Sequence, residues 1–226
     1  MSDGTPFAEL TLREFNDRLL SAEPVPGGGS AAAVAGSLAA SLVTMVAELS
    51  KRPKYMEHAS LHGAVEERSR ELTARLLKLA DDDATSYAAF AAALKLPKET
   101  EEEREARARA MQSAARTAAE VPLECLQACF DVVLAAELLA GRCNQNASSD
   151  LTVATLLAEA AAKGAAANVR VNLPSVGDQA WSRDADARVA KLLLDIEYTS
   201  QNCRAVVASG GLRGPVPAGS TGRSEA

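Results

Sequence analysis

Three consecutive aspartates lie inside a long segment with helical periodicity, and one of them takes an apolar position. Large apolar and aromatic residues recur in this segment at intervals of three, four or seven, namely Leu61, Val65, Leu72, Leu76, Leu79, Tyr87, Phe90 and Leu94. Asp83 fills the gap between Leu79 and Tyr87, so its carboxyl group is predicted to face the core. A carboxylate in such a position must be paired, protonated or in contact with a cavity, because burying it bare is costly.

Two roles fit this carboxyl group. Desolvation by apolar neighbours raises the pKa of an aspartate, and a carboxyl with a raised pKa is suited to carrying protons in general acid–base catalysis. Alternatively, Asp83 has a structural role, in which it bonds the end of a neighbouring helix or pairs with an arginine. Helix periodicity alone favours the two roles equally.

The segment Pro24-Val25-Pro26-Gly27-Gly28-Gly29-Ser30 is a second candidate, and it precedes a long run without charge. Glycines permit backbone angles closed to other residues, and Ser30 is predicted to cap the helix that follows. A loop at a helix N-terminus can bind an anion or a polar ligand, although a plain capping turn has the same residues. The letters match the dinucleotide-binding pattern G-x-G-x-x-A, but the strand that this pattern requires does not precede them.

The remaining polar candidates are a basic corner, a polar loop and two amides among valines: Lys51, Arg52 and Lys54; Asn144 and Asp150; Asn168 and Asn172. A basic corner is usually solvated, but it can also hold an acidic group. Amides in an apolar segment need hydrogen-bond partners.

No metal site is expected. Cys125 and Cys129 lie one helical turn apart beside apolar residues, which indicates buried thiols, and His58 and His62 are the only histidines. Four cysteines in a chain of 226 residues are typical of reduced thiols in a cytoplasmic protein, not of a disulfide framework.

Composition predicts the elements that position these residues. The chain is 47% hydrophobic but only 4% aromatic, and it is rich in alanine, which favours helices. Its formal net charge of −6 argues against general nucleic-acid binding. Because the sequence shows no internal repeat and no linker, we expect an all-α, single-domain helical bundle over residues 9–208. A flexible N-terminus is expected at 1–8 and a disordered tail at 209–226.

Periodicity and capping signals predict the helices. The first helix begins with a capping box at Thr11, and the central helix follows Ser30. Further helices are predicted over residues 59–93, 99–122 and 123–139, from about residue 149, and immediately before the tail. Residues 168–173 fit either a short strand or a continued helix. The central helix has small residues opposite an apolar stripe of Val34, Leu38, Leu42, Met45 and Leu49. Its length also fits a membrane span, but its Ala/Gly-rich composition favours a buried helix, packed closely within the fold or across a dimer axis.

Taken together, these segments resemble the cyclodeaminase domain of formiminotransferase-cyclodeaminase, a family that includes stand-alone methenyltetrahydrofolate cyclohydrolases. The resemblance covers about residues 8–208. It is carried by motifs in the family's order and spacing: Pro26-Gly27-Gly28-Gly29-Ser30, Asp83-Ala84 with Tyr87, Leu96-Pro97-Lys98-x-Thr100-x-Glu102-Glu103-Arg104, Val121-Pro122-Leu123, Ser149-Asp150-Leu151 and Asn168-Val169-x-x-Asn172-Leu173. One departure is Arg142-Cys143-Asn144, which stands in place of a Gly-Asn pair.

The resemblance implies a homodimeric enzyme that acts on the one-carbon unit between N5 and N10 of tetrahydrofolate, with Asp83 as acid/base. It implies no permanently bound cofactor, a tetrahydrofolate derivative as substrate, and no nucleic-acid or membrane partner. The substrate contacts that it implies come from the glycine loop, the basic corner, Tyr87 and the four polar side chains: Pro26, Gly27, Gly28, Gly29, Ser30, Lys51, Arg52, Lys54, Tyr87, Asn144, Asp150, Asn168 and Asn172.

Three functions stay open at this point. The first is formiminotetrahydrofolate cyclodeaminase, which forms 5,10-methenyltetrahydrofolate and ammonia. The second is methenyltetrahydrofolate cyclohydrolase, which opens the methenyl compound to 10-formyltetrahydrofolate. The third belongs to another class, a non-catalytic folate-binding or scaffold dimer in which Asp83 only bonds a helix end.

Overall fold

The computed structural model describes residues 5–216, and over that range it contains six α-helices, short 3-10 turns and no strand. The helices are α1 (Leu12–Leu19), α2 (Gly28–Leu49), α3 (Ala59–Leu94), α4 (Glu101–Leu139), α5 (Ser148–Asn172) and α6 (Gln179–Ser209). The predicted all-α single domain is confirmed. The segment left open between strand and helix is the end of α5.

Helix α2 is the centre of the bundle, with α3 and α5 packed along it and α4 closing the core between them. Its buried face is built from small residues, so the neighbouring helices approach closely. A methyl group added to Gly36 would lie only 3.1 Å from Cys129 Sγ of α4 and 3.2 Å from Leu76 of α3. Helix α6 covers α4 and α5 from outside.

The face of α2 that points inward is the small one. The stripe of large apolar residues lies on the outside, with Leu38 52%, Met45 38% and Leu49 38% exposed, while Ala39, Ala40 and Val43 are fully buried. Among the described residues, α2 is the one helix long and apolar enough to cross a membrane, with a mean hydropathy of 1.7. Its small face is packed inside the bundle, as in the core helix of a soluble protein.

Helix α4 is one continuous helix, so the predicted break at Pro122 is wrong. Proline lacks the N–H that would bond the carbonyl of Ala118 four residues earlier. Instead, Asn172 Nδ2 at the end of α5 donates to Ala118 O at 2.9 Å. A side chain from a neighbouring helix thus replaces the missing backbone donor, which local sequence patterns do not reveal.

Several local predictions also change. The Thr11 capping box is present and Phe15 is buried, whereas Leu20 is 83% exposed. Helix α5 begins at Ser148, one residue before the predicted start near 149.

The described parts of the two termini pack against the bundle. The N–H of Phe7 donates to Asp81 Oδ1 at 2.8 Å. Arg213 N–H donates to Gly141 O at 2.9 Å, and Arg142 Nε donates to Gly214 O at 2.7 Å. Within the tail predicted from residue 209, Ser209 ends α6, and Arg213 and Gly214 make the bonds just described. Residues 1–4 and 217–226 lie outside the described residues.

The bond between Asn172 and the α4 carbonyl is open to a double-mutant test. Asn172→Leu leaves the buried Ala118 carbonyl without a donor and is expected to lower the free energy of unfolding by about 1–3 kcal/mol. With Pro122→Ala in the background, the backbone supplies the donor, and the same substitution is expected to cost clearly less. Urea denaturation of the four proteins measures this coupling; equal losses in both backgrounds would contradict it.

Candidate functional site

The carboxyl group of Asp83 in α3 faces the first turn of α2. Ser30 Oγ donates to Asp83 Oδ2 at 2.9 Å, and the backbone N–H of Ser30 also stabilises the ionised carboxylate. The same hydroxyl lies 2.9 Å from the carbonyl oxygen of Ala80, one turn earlier in α3. Asp83 is half-buried, as expected for a carboxyl group at the edge of the core.

Gly29 makes this approach possible, for a reason different from the predicted one. None of the three loop glycines has a positive φ, so left-handed backbone angles are not why they are needed. A Cβ added to Gly29 would lie 2.1 Å from Asp83 Oδ1 and 2.5 Å from its Cγ. The residue that caps α2 is Gly27, not Ser30, which leaves the Ser30 hydroxyl free to reach α3.

The pKa of Asp83 is raised, chiefly because burial disfavours the charged form, and the two bonds from Ser30 offset part of that rise. Each neighbouring aspartate has a different partner: Asp81 accepts from Phe7, and Asp82 pairs with Lys78. Among the described residues, Asp83 has no arginine or lysine partner. Of the two structural roles considered, contact with a helix end is therefore present and an arginine pair is not.

Two amides of α5 line the same region. Asn168 Nδ2 donates to Gly164 O at 2.9 Å and lies 3.9 Å from the Cβ position of Gly28. Asn172 uses both of its donors, one on Ala118 O and one on Asn168 O, each at 2.9 Å. Asn172 can therefore offer a ligand only its oxygen atom.

Two further predicted residues also lie near Asp83. Pro26 is buried before the start of α2, and Tyr87, one turn beyond Asp83 in α3, is 46% exposed. The glycine loop, Asp83, Tyr87 and the two α5 amides therefore form one cluster.

The other predicted site residues lie at the opposite end of the bundle. Lys51, Arg52 and Lys54 follow the C-terminus of α2, about 30 Å from its first turn at 1.5 Å per residue. Asp150 lies in the first turn of α5, at the end away from the two amides. Within one chain these residues lie apart from the cluster around Asp83.

Structural partners already occupy two of these distant side chains. Lys51 pairs with both Glu48 and Glu66. Asn144 donates its backbone N–H to Ser50 Oγ at 2.8 Å and its side-chain amide to Leu49 O at 3.3 Å. Their position argues for a structural role at the end of α2.

Sequence reasoning missed a groove between α3 and α4. The groove has a volume of about 740 Å³, begins beside Asp82 and Ser86, and runs along α3 to Leu96. Asp82 and Ser86 of the groove wall flank Asp83 along α3, but Asp83 itself does not line the groove. Rows of small residues at intervals of three and four on both helices were the available signal: Ala89, Ala92 and Ala93; Ala110, Ser113, Ala114 and Thr117.

No cluster of three or more potential metal ligands occurs among residues 5–216. The four cysteines are unpaired and buried. Burial raises the pKa of Cys143 to about 11 and that of Cys203 to about 12, so neither is a reactive thiolate at neutral pH.

The close contact at Gly29 predicts a steep steric effect. Gly29→Ala must displace the Asp83 carboxyl group or shift α2, and it is expected to lower the free energy of unfolding by about 1–3 kcal/mol. Gly28→Ala is the matched control, since its methyl group meets only Asn168 Nδ2 at 3.9 Å and is expected to be neutral. Denaturant titration of both variants measures the difference. Equal stability of the two variants would contradict the contact.

Comparisons with known proteins agree with this geometry. The sequence model of the family described as formiminotransferase-cyclodeaminase matches residues 11–191. A methenyltetrahydrofolate cyclohydrolase of Methylorubrum extorquens is 39% identical over 82% of this chain and 89% of its own length. A formimidoyltransferase-cyclodeaminase of Gallus gallus is 35% identical over 77% of this chain, which matches only 32% of that longer protein. The crystal structure of formiminotetrahydrofolate cyclodeaminase from Thermotoga maritima superposes with a TM-score of 0.81 at 27% identity and covers 89% of this chain and 98% of that one.

Proposed function

Because the chain belongs to the formiminotransferase-cyclodeaminase family, we propose that its Asp83 cluster converts the one-carbon unit carried between N5 and N10 of tetrahydrofolate. The named relatives are enzymes, so the chain is an enzyme and the non-catalytic scaffold is set aside. The observation that carries the proposal is the half-buried Asp83 carboxyl group, with a raised pKa and no cationic partner among the described residues. A carboxyl group with a raised pKa is suited to exchanging protons with a bound substrate.

The first candidate reaction is hydrolysis of 5,10-methenyltetrahydrofolate. Its reacting carbon belongs to an amidinium cation, which an ionised carboxylate stabilises. Asp83 takes a proton from water as the oxygen bonds to that carbon, which gives a tetrahedral intermediate. The carboxyl group then returns the proton to N5 as the bond between carbon and N5 breaks, while the hydroxyl group of the intermediate loses its proton to water and becomes the formyl carbonyl of 10-formyltetrahydrofolate. Both steps are proton transfers and need no resident cofactor.

The second candidate is cyclodeamination of 5-formiminotetrahydrofolate. Here N10 attacks the carbon of the formimino group, which is protonated as an amidinium, and Asp83 accepts the proton from N10. Asp83 then returns that proton to the amino group of the tetrahedral intermediate, which leaves as ammonia. The product is the methenyl compound with which the first reaction begins. One carboxyl group can serve both reactions, because each passes through a tetrahedral carbon between two nitrogens.

The comparisons support placing hydrolysis first. Sequence motifs alone do not separate the two reactions, but the relative named as a cyclohydrolase is the more similar in sequence and matches this chain over 89% of its own length. The fold neighbour named as a cyclodeaminase is less similar in sequence, at 27% identity. Deamination therefore stays the second candidate, favoured by that structural likeness.

The decisive assay follows the absorbance of 5,10-methenyltetrahydrofolate with the purified protein, beside ammonia release from 5-formiminotetrahydrofolate. We expect the first substrate to be consumed, and we expect Asp83→Asn to lower kcat by about 10²- to 10⁴-fold. Ammonia release without hydrolysis would reverse the order of the two candidates. Near-parental turnover by Asp83→Asn would overturn the acid/base role.

Stability provides the control for this variant. The folded-state pKa of Asp83 is raised, so its stabilising contribution is present below the unfolded-state pKa and is lost as the pH rises through the folded-state value. Replacing the charge with an amide is therefore expected to keep or raise the Tm at neutral pH. A purely structural carboxylate predicts the opposite, a lower Tm, and calorimetry at neutral and acid pH separates the two.

We also propose that a second copy of this chain covers the outward stripe of α2. From residue 28 to residue 47 the helix carries no charge, and its outer face exposes Leu38, Met45 and Leu49. Beside it, α5 exposes Val153 (47%) and Leu156 (51%). An exposed apolar surface without charge is typical of an interface between subunits. The partner that the uncharged helix fits best is an identical uncharged helix.

Light scattering after gel filtration tests this interface. The parent is expected to show twice the chain mass of 23.5 kDa, and Leu38→Glu is expected to shift it to the single-chain mass, since the new charge would be buried in the contact. Leu194→Glu on α6 is the matched control, because Leu194 is 69% exposed on a different helix. A parent of single-chain mass would contradict the dimer.

A further inference from the structure

Two histidines are buried at the end of the bundle opposite Asp83. His58 precedes α3 and His62 lies in its first turn, with only 5% and 0% of their surface exposed. Their ring centroids are 6.0 Å apart, and they are the two histidines of the whole chain. At 1.5 Å per residue, His62 lies about 30 Å along α3 from Asp83, so the pair has no part in the proposed reaction. Because histidine changes its charge near neutral pH, a buried pair is a candidate for a pH-dependent element.

The hydrogen bond of His62 determines which ring nitrogen carries the proton. Nε2 lies 2.8 Å from the carbonyl oxygen of Arg142. A carbonyl oxygen can only accept, so Nε2 is the donor. Nδ1 is buried and has no hydrogen-bond partner among residues 5–216. This arrangement fits the neutral ring, because a second proton on Nδ1 would be buried without an acceptor.

The surroundings of His62 also oppose its protonation. Burial lowers the pKa of His62, the bond to the Arg142 carbonyl offsets part of this change, and the charges of His58 and Lys51 lower the pKa further. The guanidinium of Arg142, on the loop side, is used on the carbonyl oxygens of Leu138 and Gly214.

The carboxylates of the elements packed around His62 already have partners. Glu57 lies 3.4 Å from Nε2 of His58 and is mostly exposed. The carboxylates of α2, α3 and α4 near this end are paired with surface cations: Glu48 and Glu66 with Lys51 and Arg70, Asp131 with Arg68, and Glu137 with Arg213. None of these ion pairs includes His62, so a charged His62 would have no carboxylate to neutralise it.

The carbonyl group that His62 holds belongs to the loop between α4 and α5, which also holds the C-terminal segment. Gly141 O accepts from Arg213 N–H at 2.9 Å, and Arg142 Nε donates to Gly214 O at 2.7 Å. His62 therefore bonds from inside the bundle the same loop that the C-terminal segment bonds from outside. A change in the charge of His62 would act on both contacts.

We propose that His62 is a pH switch, which keeps the loop at 141–147 and the C-terminal segment at 210–216 closed on the bundle at neutral pH and releases them in mild acid. When the loop opens, His62 meets water and takes up a proton with an ordinary pKa of about 6.5, whereas the closed state resists that proton. The contribution of His62 to the closed state is thus fully present above pH 6.5 and is lost as the pH falls toward the lowered, folded-state pKa. The equilibrium constant for opening is expected to rise about five- to tenfold between pH 7.5 and pH 5.5.

Hydrogen exchange of the full chain, followed by mass spectrometry at both pH values and corrected for the intrinsic exchange rate, tests this switch. We expect the protection of peptides that cover 141–147 and 210–216 to fall about five- to tenfold from pH 7.5 to pH 5.5. Peptides from the first turn of α2 are the internal control. The raised pKa of Asp83 has the opposite sign, so protection at that end is not expected to fall in acid.

Two glutamine variants identify the group that titrates. His62→Gln keeps a side-chain N–H donor for the Arg142 carbonyl but does not titrate, and it is expected to remove the pH dependence. His58→Gln is the matched control and is expected to retain it.

A second measurement does not require His62→Gln to fold. In His58→Gln, His62 is the one histidine left in the chain. Ring ¹⁵N NMR signals of that variant should show a proton on Nε2 at neutral pH and full protonation only well below pH 6.5. Titration at or above pH 6.5, parent protection that does not change with pH, or a pH dependence that survives in His62→Gln or disappears in His58→Gln would overturn the proposal.

Discussion

The contact between Asp83 and the first turn of α2 determines how the rest of the site is built. A carboxyl group in the apolar register of α3 would be strongly unfavourable if it were bare, and the Ser30 hydroxyl and N–H reduce that cost. These donors lie at a helix start, where backbone N–H groups are free and the helix dipole favours negative charge. The carboxyl group reaches them only because residue 29 has no side chain. The arrangement reduces the cost of burying the carboxyl group and still leaves its pKa raised.

The main elements could be predicted from the sequence because they depend on local signals. Alanine content, apolar periodicity and capping boxes place α1, α2 and α3 close to their observed bounds, and the apolar register places Asp83 on an inward face. Local signals do not predict the continuity of α4 through Pro122 or the outward position of the apolar stripe of α2. Both depend on neighbours: an amide from α5 replaces the missing donor of α4, and the small face of α2 lets three helices approach more closely than its leucines would.

Part of the site could also be predicted, and the remainder shows the limit of motif spacing. The glycine loop, Asp83, Tyr87 and the two α5 amides meet because α2 and α5 run antiparallel, which brings the start of one to the end of the other. By the same geometry, Lys51, Asn144 and Asp150 lie at the far end of the bundle, although the family resemblance implies all three as substrate contacts. A sequence records order along the chain, and a helix of 22 residues turns that order into a separation of about 30 Å.

The Ser30 hydroxyl lies between two acceptors, so its orientation can change with the protonation state of Asp83. Its single hydrogen can point to the Ala80 carbonyl or to Asp83 Oδ2, each 2.9 Å away. While Asp83 is ionised, the Ser30 hydroxyl donates its hydrogen to the carboxylate. Once Asp83 is protonated, the Ser30 oxygen can accept a hydrogen bond from the carboxyl group and donate its own hydrogen to the Ala80 carbonyl. Each cycle of uptake and release would then rotate one hydroxyl group at the edge of the core. Ser30 would act as a small relay that compensates the change in charge without moving either helix.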